Sequence, residues 1–196
     1  MKIQIPDYIQ VLIDLLNQNG YSAYVVGGAI RNALLELPIH DYDLTTDATP
    51  QEMLQVFSNY RVFQTGIQHG TITVLSNKQP VEITTFRSES IYEDHRHPSG
   101  VLFSKSIEED CKRRDFTINA LCYNNNEGLI DFFGGVDDLH HKIIRCIGNP
   151  HERIDEDALR ILRALRFAGR LSFTIEEKTA TAIHKQKDLL HYISEE

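Results

Sequence analysis

A Gly-Gly-x-x-Arg run followed ten residues later by two carboxylates constrains this chain more than any other feature: Gly27-Gly28-Ala29-Ile30-Arg31, then Asp41-Tyr42-Asp43. Tyr24-Val25-Val26 reads as a short buried strand and Ile30 to Glu36 as a helix, so the glycines fall on the turn between them. Such a turn lets backbone N–H groups approach an anion closely. The helix start adds partial positive charge, and Arg31 offers a fixed fork of donors suited to phosphate oxygens. His40 to Thr46, bounded by Pro38 and Asp47, suits a strand, on which residues i and i+2 project from one face. Asp41 and Asp43 are therefore expected side by side. Two such carboxylates repel unless cations lie between them, and hard oxygen ligands beside phosphate favour Mg²⁺. Two metals there would lower the pKa of an attacking hydroxyl and neutralise a leaving pyrophosphate. A solvated Asp pair in a loop is the competing reading of the D-x-D alone. The preceding Gly-Gly-x-x-Arg favours handling of a nucleoside triphosphate with metal.

The surrounding pattern is that of a small mixed sheet with helices. Pro6 to Asn19 carries Ile9, Leu12, Ile13 and Leu16 on one helical side, with Gly20 as its stop. Thr49-Pro50-Gln51-Glu52 is a capping box that predicts a helix to about Phe57. Gly70 to Leu75 and Val81 to Phe86 alternate as neighbouring strands around an Asn77-to-Pro80 turn. Ser88 to Lys105 is polar and aperiodic, a long loop of the kind that is usually functional. A short strand is expected from Ile118, then Gly128 to Phe133, with Gly134-Gly135 opening a helical turn. Asp155 to Leu171 predicts one strong helix and Ile175 to His191 one or two more, after a break near Gly148-Asn149-Pro150.

At 196 residues with 41% hydrophobic content, the chain can bury one good core, or one domain plus a helical extension. Its apolar runs fall far short of the roughly 18 residues of a membrane span, and its start lacks the regions of a signal peptide, so a cytoplasmic protein is expected. Cys111, Cys122 and Cys146 are widely spaced, which indicates neither a disulfide framework nor a zinc knuckle; they read as small core or surface residues. The net charge of −8 argues against a surface that attracts nucleic acid as a whole. Acidic residues cluster at Glu108-Glu109-Asp110 and Glu195-Glu196, whereas Arg160, Arg163, Arg166 and Arg170 run with no acid among them. That run is the candidate contact face.

Two further constellations carry chemistry. Lys112-Arg113-Arg114-Asp115 places cations before an acid at the expected start of a short helix: Arg114 suits triphosphate oxygens and Asp115 a ribose hydroxyl, against the alternative of a solvated charge run. On the expected later helix, Asp157 and Arg160 stand three apart and share a face, with Arg163 and Arg166 continuing that side. Cytosine and adenine each place an amine donor beside a ring-nitrogen acceptor, so an aspartate–arginine pair accepts them and mismatches guanine and uracil. The alternative is an ordinary surface ion pair worth tenths of a kcal/mol.

Taken together, Val26 to Arg31, Asp41-Tyr42-Asp43, Arg113 to Ala120, Asp131 to Gly135 and Glu156 to Arg163 resemble the bacterial class II tRNA nucleotidyltransferases, the CCA-adding enzymes. The resemblance spans nearly the whole chain. It implies an α+β fold: a nucleotidyltransferase-type mixed sheet with flanking helices over residues 1–148, the catalytic head, and a helical neck over 149–196. It implies that Asp41 and Asp43 bind Mg²⁺, and that Gly28, Arg31, Arg114 and Asp115 meet triphosphate and ribose. Asp157 and Arg160 then resemble a protein template for the base, with Arg163 and Arg166 as further nucleotide contacts. Glu82 resembles the third acidic position of the superfamily, and Gly27 and Asn119 are supporting members of the motifs. The implied activity is addition of C and A to the tRNA 3′ end from CTP and ATP, with pyrophosphate released. In such enzymes a loop between the first two motifs is linked to the final A; here Tyr92 to Pro98 keeps full length, and its His95-Arg96-His97 lacks the framework of a metal site. Asn32 departs from the pattern, standing where the family usually has Asp, and the chain stops where the family continues into body and tail. Rival readings are an A-adding enzyme, a bacterial poly(A) polymerase with the same head, and a nucleotide-binding module without efficient turnover. The oligomeric state is left open, a homodimer among the options.

Overall fold

The computed structural model describes residues 2–88 and 101–193. The expectations for Tyr92 to Pro98 and for the Glu195-Glu196 terminus lie outside the described residues. The chain runs α1 (Asp7–Gln18), β1 (Ala23–Val26), α2 (Gly28–Leu34), β2 (Asp43–Thr46), α3 (Pro50–Val56), β3 (Arg61–Phe63), β4 (Thr71–Ser76), β5 (Gln79–Thr85), α4 (Ile107–Lys112), β6 (Cys122–Asn124), β7 (Gly128–Ile130) and α5 (Gly135–His141). After these come β8 (Ile143–Ile144), α6 (Pro150–Glu156), α7 (Leu159–Leu171), β9 (Thr174–Ile175) and α8 (Glu177–Gln186).

Seven strands form one mixed sheet in the order β3-β4-β5-β2-β1-β6-β7. All neighbours are antiparallel except β2 and β5, which run parallel and place Asp43 opposite Glu82. The expected α+β class is thus observed. The apolar side of α1, Ile9, Leu12, Ile13 and Leu16, is buried in one cluster with Val25 and Leu44 of the central strands and with Met53 and Phe57. A second cluster on Tyr24, Val26 and Cys122 also takes Phe86, Cys111 and Ile147. The sheet is covered on both sides, which leaves its functional edge at the ends of β1 and β2.

The capping box forms as expected, with Thr49 Oγ1 accepting from Glu52 N and Glu52 accepting from Thr49 N. Several expectations are corrected. The strand expected from His40 starts only at Asp43. No strand starts at Ile118; Thr117–Asn119 is a 3₁₀ turn. The cations of Lys112 to Arg114 close α4 rather than opening a helix, and the chain there has Arg113 as its C-cap. The described ends of the long loop are paired, with Ser88 N donating to Leu102 O and Ser104 N to Phe86 O. The single helix expected over Asp155 to Leu171 is two helices. Asn149 caps α6 with Pro150 at its first position, and the chain becomes extended at Asp157 (φ −144°, ψ 99°) before α7 begins. Ile154, Ile161 and Ala182 of α6, α7 and α8 form their own small cluster.

Candidate active site

Gly27 makes the turn from β1 into α2 with φ 67° and ψ −123°, a conformation that L side chains rarely adopt. A Cβ there would sit 3.3 Å from Arg114 Nη1, so the glycine also permits the guanidinium to lie against the backbone. The turn opens onto a cavity of about 450 Å³, within the usual size of small-molecule sites. Gly27, Gly28, Arg31, Asp43, Arg113, Arg114, Asp115, Asn119, Asp157, Arg160, Arg163 and Phe167 line it. Five arginines against three aspartates leave a formal excess of two positive charges. A polyanion is the ligand that such a lining favours.

The arginines are held rather than loose. Arg31 Nη1 donates to Asn119 Oδ1 at 2.6 Å, and its Nε and Nη2 donate to Asn32 Oδ1. Asn32 in turn donates to Pro38 O at 2.9 Å, so this departure from the family pattern still braces Arg31. Burial, then the nearby Arg170 and Arg163 charges, holds the Arg31 guanidinium below its ordinary pKa, against the pull of Asp115. An incoming anion would relieve that repulsion. Asn119 also donates to Asp115 Oδ1 at 3.0 Å, and Asp115 Oδ2 accepts from Arg163 Nε at 2.7 Å. The two expected nucleotide contacts, Asp115 and Arg163, are therefore paired with each other. The turn that presents Asn119 is anchored from α5. Asp131 accepts from Gly135 N and Val136 N, Thr117 donates to Asp138, and a Cβ on Gly135 would collide with Thr117 O.

Asp110, in sequence only part of an acidic cluster, holds two of the arginines of the cavity wall. Fully buried, it accepts from Arg113 Nε and Nη2, Arg114 Nη2 and Arg87 N. Although burial opposes its ionisation, Arg114 and Arg113 hold the carboxyl below the usual carboxylate range. Its i, i+3 and i, i+4 spacing to those arginines on one helix was the available signal. Arg114 Nε, by contrast, is buried with no hydrogen-bond partner among the described residues.

The carboxylates meet around Asp43, the first residue of β2. Asp43 lines the main cavity, a second beside Asp41 and His40, and a third beside Glu82, Arg87 and Arg114. Desolvation, then the Glu82 charge, raises the Asp43 pKa, with Arg114 opposing and Asp41 adding to the rise. That strain between like charges is what a cation would remove. Among the described residues no three His, Cys, Asp or Glu side chains group closely enough to hold a metal ion by themselves. Mg²⁺ is commonly held by one or two carboxylates plus substrate phosphates, so the donor set fits a metal that arrives with a triphosphate.

The late helices are placed differently from expectation. Asp157 does not share a helical face with Arg160, because it lies in the break and its Oδ1 accepts from Leu159 N at 3.0 Å. Arg160 is 5% exposed and donates to Arg153 O, Glu156 Oε2 and Arg113 O. Both residues nonetheless line the cavity. Arg166 is exposed and outside the cavity, whereas Phe167 is inside it. At about 100° per residue, i+6 from Arg160 lies about 120° away and i+7 only about 20°, so helix geometry favours Phe167. Its ring carries Arg31 at 5.0 Å and Arg163 at 5.4 Å from the centroid.

Asp43, at the start of a central strand and facing a glycine turn and an arginine-lined cavity on this mixed sheet, gives the chain the nucleotidyltransferase fold. Residues 23–145 match the family described as Poly A polymerase head domain, and the chain belongs to that family. The resemblance to CCA-adding enzymes is borne out. The CCA-adding enzyme of Enterococcus faecalis is 52% identical over 181 residues, covering 92% of this chain and 44% of that protein. A crystal structure of the Bacillus stearothermophilus CCA-adding enzyme in complex with CTP superposes with a TM-score of 0.87 at 39% identity, over 97% of this chain and 46% of that one. A tRNA nucleotidyltransferase complexed with a primer tRNA and an incoming ATP analog gives 0.74 at 33%, over 91% and 50%. The chain thus spans about half the length of the relatives it matches.

Proposed function

We propose that this chain forms the catalytic part of an enzyme that adds C and A to the 3′ end of tRNA from CTP and ATP, releasing pyrophosphate. The observation that carries the reading is Asp43 at the meeting point of an arginine-lined cavity and two further carboxylates. Relatives named as CCA-adding enzymes, and solved relatives holding CTP or a primer tRNA with an ATP analog, support it. Residues 1–148 act as the catalytic head and 149–196 as the neck. A cytoplasmic location accords with a tRNA substrate.

Asp41 and Asp43 would hold Mg²⁺, with Glu82 orienting Asp43 across the strand pair. Held there, Mg²⁺ would supply charge neutralisation at the leaving pyrophosphate and a more acidic attacking hydroxyl. Gly27, Gly28, Arg31 and Arg114 receive the triphosphate. Asp115 and Arg163 open their mutual pair to take the ribose. Asp157 accepts from the base amine, and Arg160, fixed by three acceptors, turns its remaining donors to the ring nitrogen. Incubation with tRNA lacking its 3′ CCA and each labelled triphosphate singly tests the reading. Incorporation from CTP, abolished by Asp43→Asn, is expected; incorporation from ATP alone as a growing tail would favour a poly(A) polymerase.

A further inference from the structure

Behind the cavity wall, Cys111 of α4 and Cys122 of β6 bring their sulfurs to 3.2 Å, although eleven residues separate them in sequence. Both are fully buried and free. The spacing alone gave no disulfide framework, and nothing in the nucleotide reading uses the pair. The geometry points to an oxidisable dithiol at Cys111 and Cys122 that closes to a disulfide with a small oxidant of the peroxide class and, in closing, displaces Arg114.

Three observations carry this. The sulfurs need to approach by only about 1.1 Å to reach the length of a disulfide bond. Because both are 0% exposed, no macromolecular thiol can reach them, so each is the other's partner, while a peroxide is small enough to enter by local opening. A cation also stands beside both sulfurs: against burial, Arg114 favours the thiolate at either one, so one cysteine attacks and the other resolves.

The chemistry balances without further reagents. One thiol gives up its proton and its sulfur attacks one peroxide oxygen; the O–O bond breaks, and the leaving hydroxide takes that proton, so that a sulfenic acid and water result. The second cysteine's sulfur then attacks the sulfenic sulfur, the S–O bond breaks, and the proton of the second thiol leaves with the hydroxyl as a second water. Two electrons pass from the thiols to the peroxide, and a small dithiol reverses the step.

The effect on the cavity comes from what each cysteine is attached to. Cys111 is the next residue after Asp110, the carboxylate that fixes Arg113 and Arg114. Cys122 pairs in register with Val26, the residue before Gly27. Bond formation therefore pulls α4 towards the glycine turn, where Arg114 already stands 3.3 Å from the Gly27 Cβ position. Displacements near 1 Å can cost about a hundredfold at such sites.

Only the second of two readouts rests on the nucleotide reading. The folded chain is treated with hydrogen peroxide under conditions that leave its circular dichroism unchanged, then mapped by mass spectrometry and titrated with CTP. A loss of two hydrogens, a Cys111–Cys122 linked peptide reversed by dithiothreitol, and CTP affinity weakened at least tenfold are expected. Cys122→Ser should bind CTP normally and, with peroxide, form no linked peptide and take up oxygen at Cys111 instead, and Cys146→Ser should behave as the parent. In the parent, addition of oxygen at either cysteine without linkage, or linkage only in urea, overturns the dithiol. Linkage with unchanged CTP affinity overturns the displacement of Arg114. If the reduced chain does not bind CTP, the nucleotide reading falls and linkage still decides the dithiol.

Discussion

Asp110→Asn removes the charge that organises one wall of the cavity while keeping the side chain's volume. The wild-type carboxylate has no exposure and accepts charge-assisted bonds from Arg113 at 2.9 and 2.7 Å and from Arg114 at 3.1 Å. Breaking a buried pair by removing one partner costs about 3–5 kcal/mol. The Arg113 and Arg114 side chains are 22% and 20% exposed, so water can take up part of the released charge and the lower end, about 3 kcal/mol, applies. With a urea slope of about 2 kcal/mol/M, the midpoint should fall by about 1.5 M. The pH dependence gives a second check. The folded pKa of Asp110 is depressed, so its contribution is complete above the unfolded value of about 4 and is lost as pH falls through the folded value. The gap between wild type and variant should stay constant near neutrality and close only in acid below pH of about 4. A shift below about 0.5 M at neutral pH would refute the claim that Asp110 anchors the two arginines.

Other perturbations have equally definite outcomes. Gly27→Ala forces a Cβ into a backbone at φ 67° and against Arg114, and should lower stability by about 1–3 kcal/mol, read by chemical denaturation. Phe167→Ala removes the ring shared by Arg31 and Arg163, and should weaken CTP binding about tenfold, near 1.4 kcal/mol, by calorimetry. Asp157→Ala deletes the acceptor of Leu159 N and should cost about 1 kcal/mol by thermal melting. Mg²⁺ with CTP should raise the melting temperature of the parent, and Asp43→Asn should abolish the metal-dependent part, since the repulsion it relieves is gone.

Much of this was legible in local pattern. The apolar spacing of α1, the Thr49 capping box and the β-branched alternation of β4 and β5 each carry a short-range physical signal, and each element formed as expected. The site was legible where a motif is compact, as in Gly27 to Arg31 and Asp41 to Asp43. It was less so where placement depends on tertiary packing. The break at Asp157 had a readable sign, an Asp able to cap the start of α7, but helical periodicity on both sides hid it. Asp110 and Phe167 needed the fold, because one is defined by burial and the other by two arginines brought from distant elements. The Cys111–Cys122 contact depends on α4 crossing behind β6, which no sequence spacing reports.

The central claim is that this cavity selects bases with an amine beside a ring acceptor while Asp43 holds the metal. Calorimetric titration of the chain with CTP, ATP, GTP and UTP in the presence of Mg²⁺ tests it most directly. CTP and ATP should bind about tenfold or more tightly than GTP and UTP, a difference of about 1.4 kcal/mol, and Asp157→Ala with Arg160→Ala should erase the preference. Equal affinity for all four, or a preference that survives both substitutions, would contradict the account.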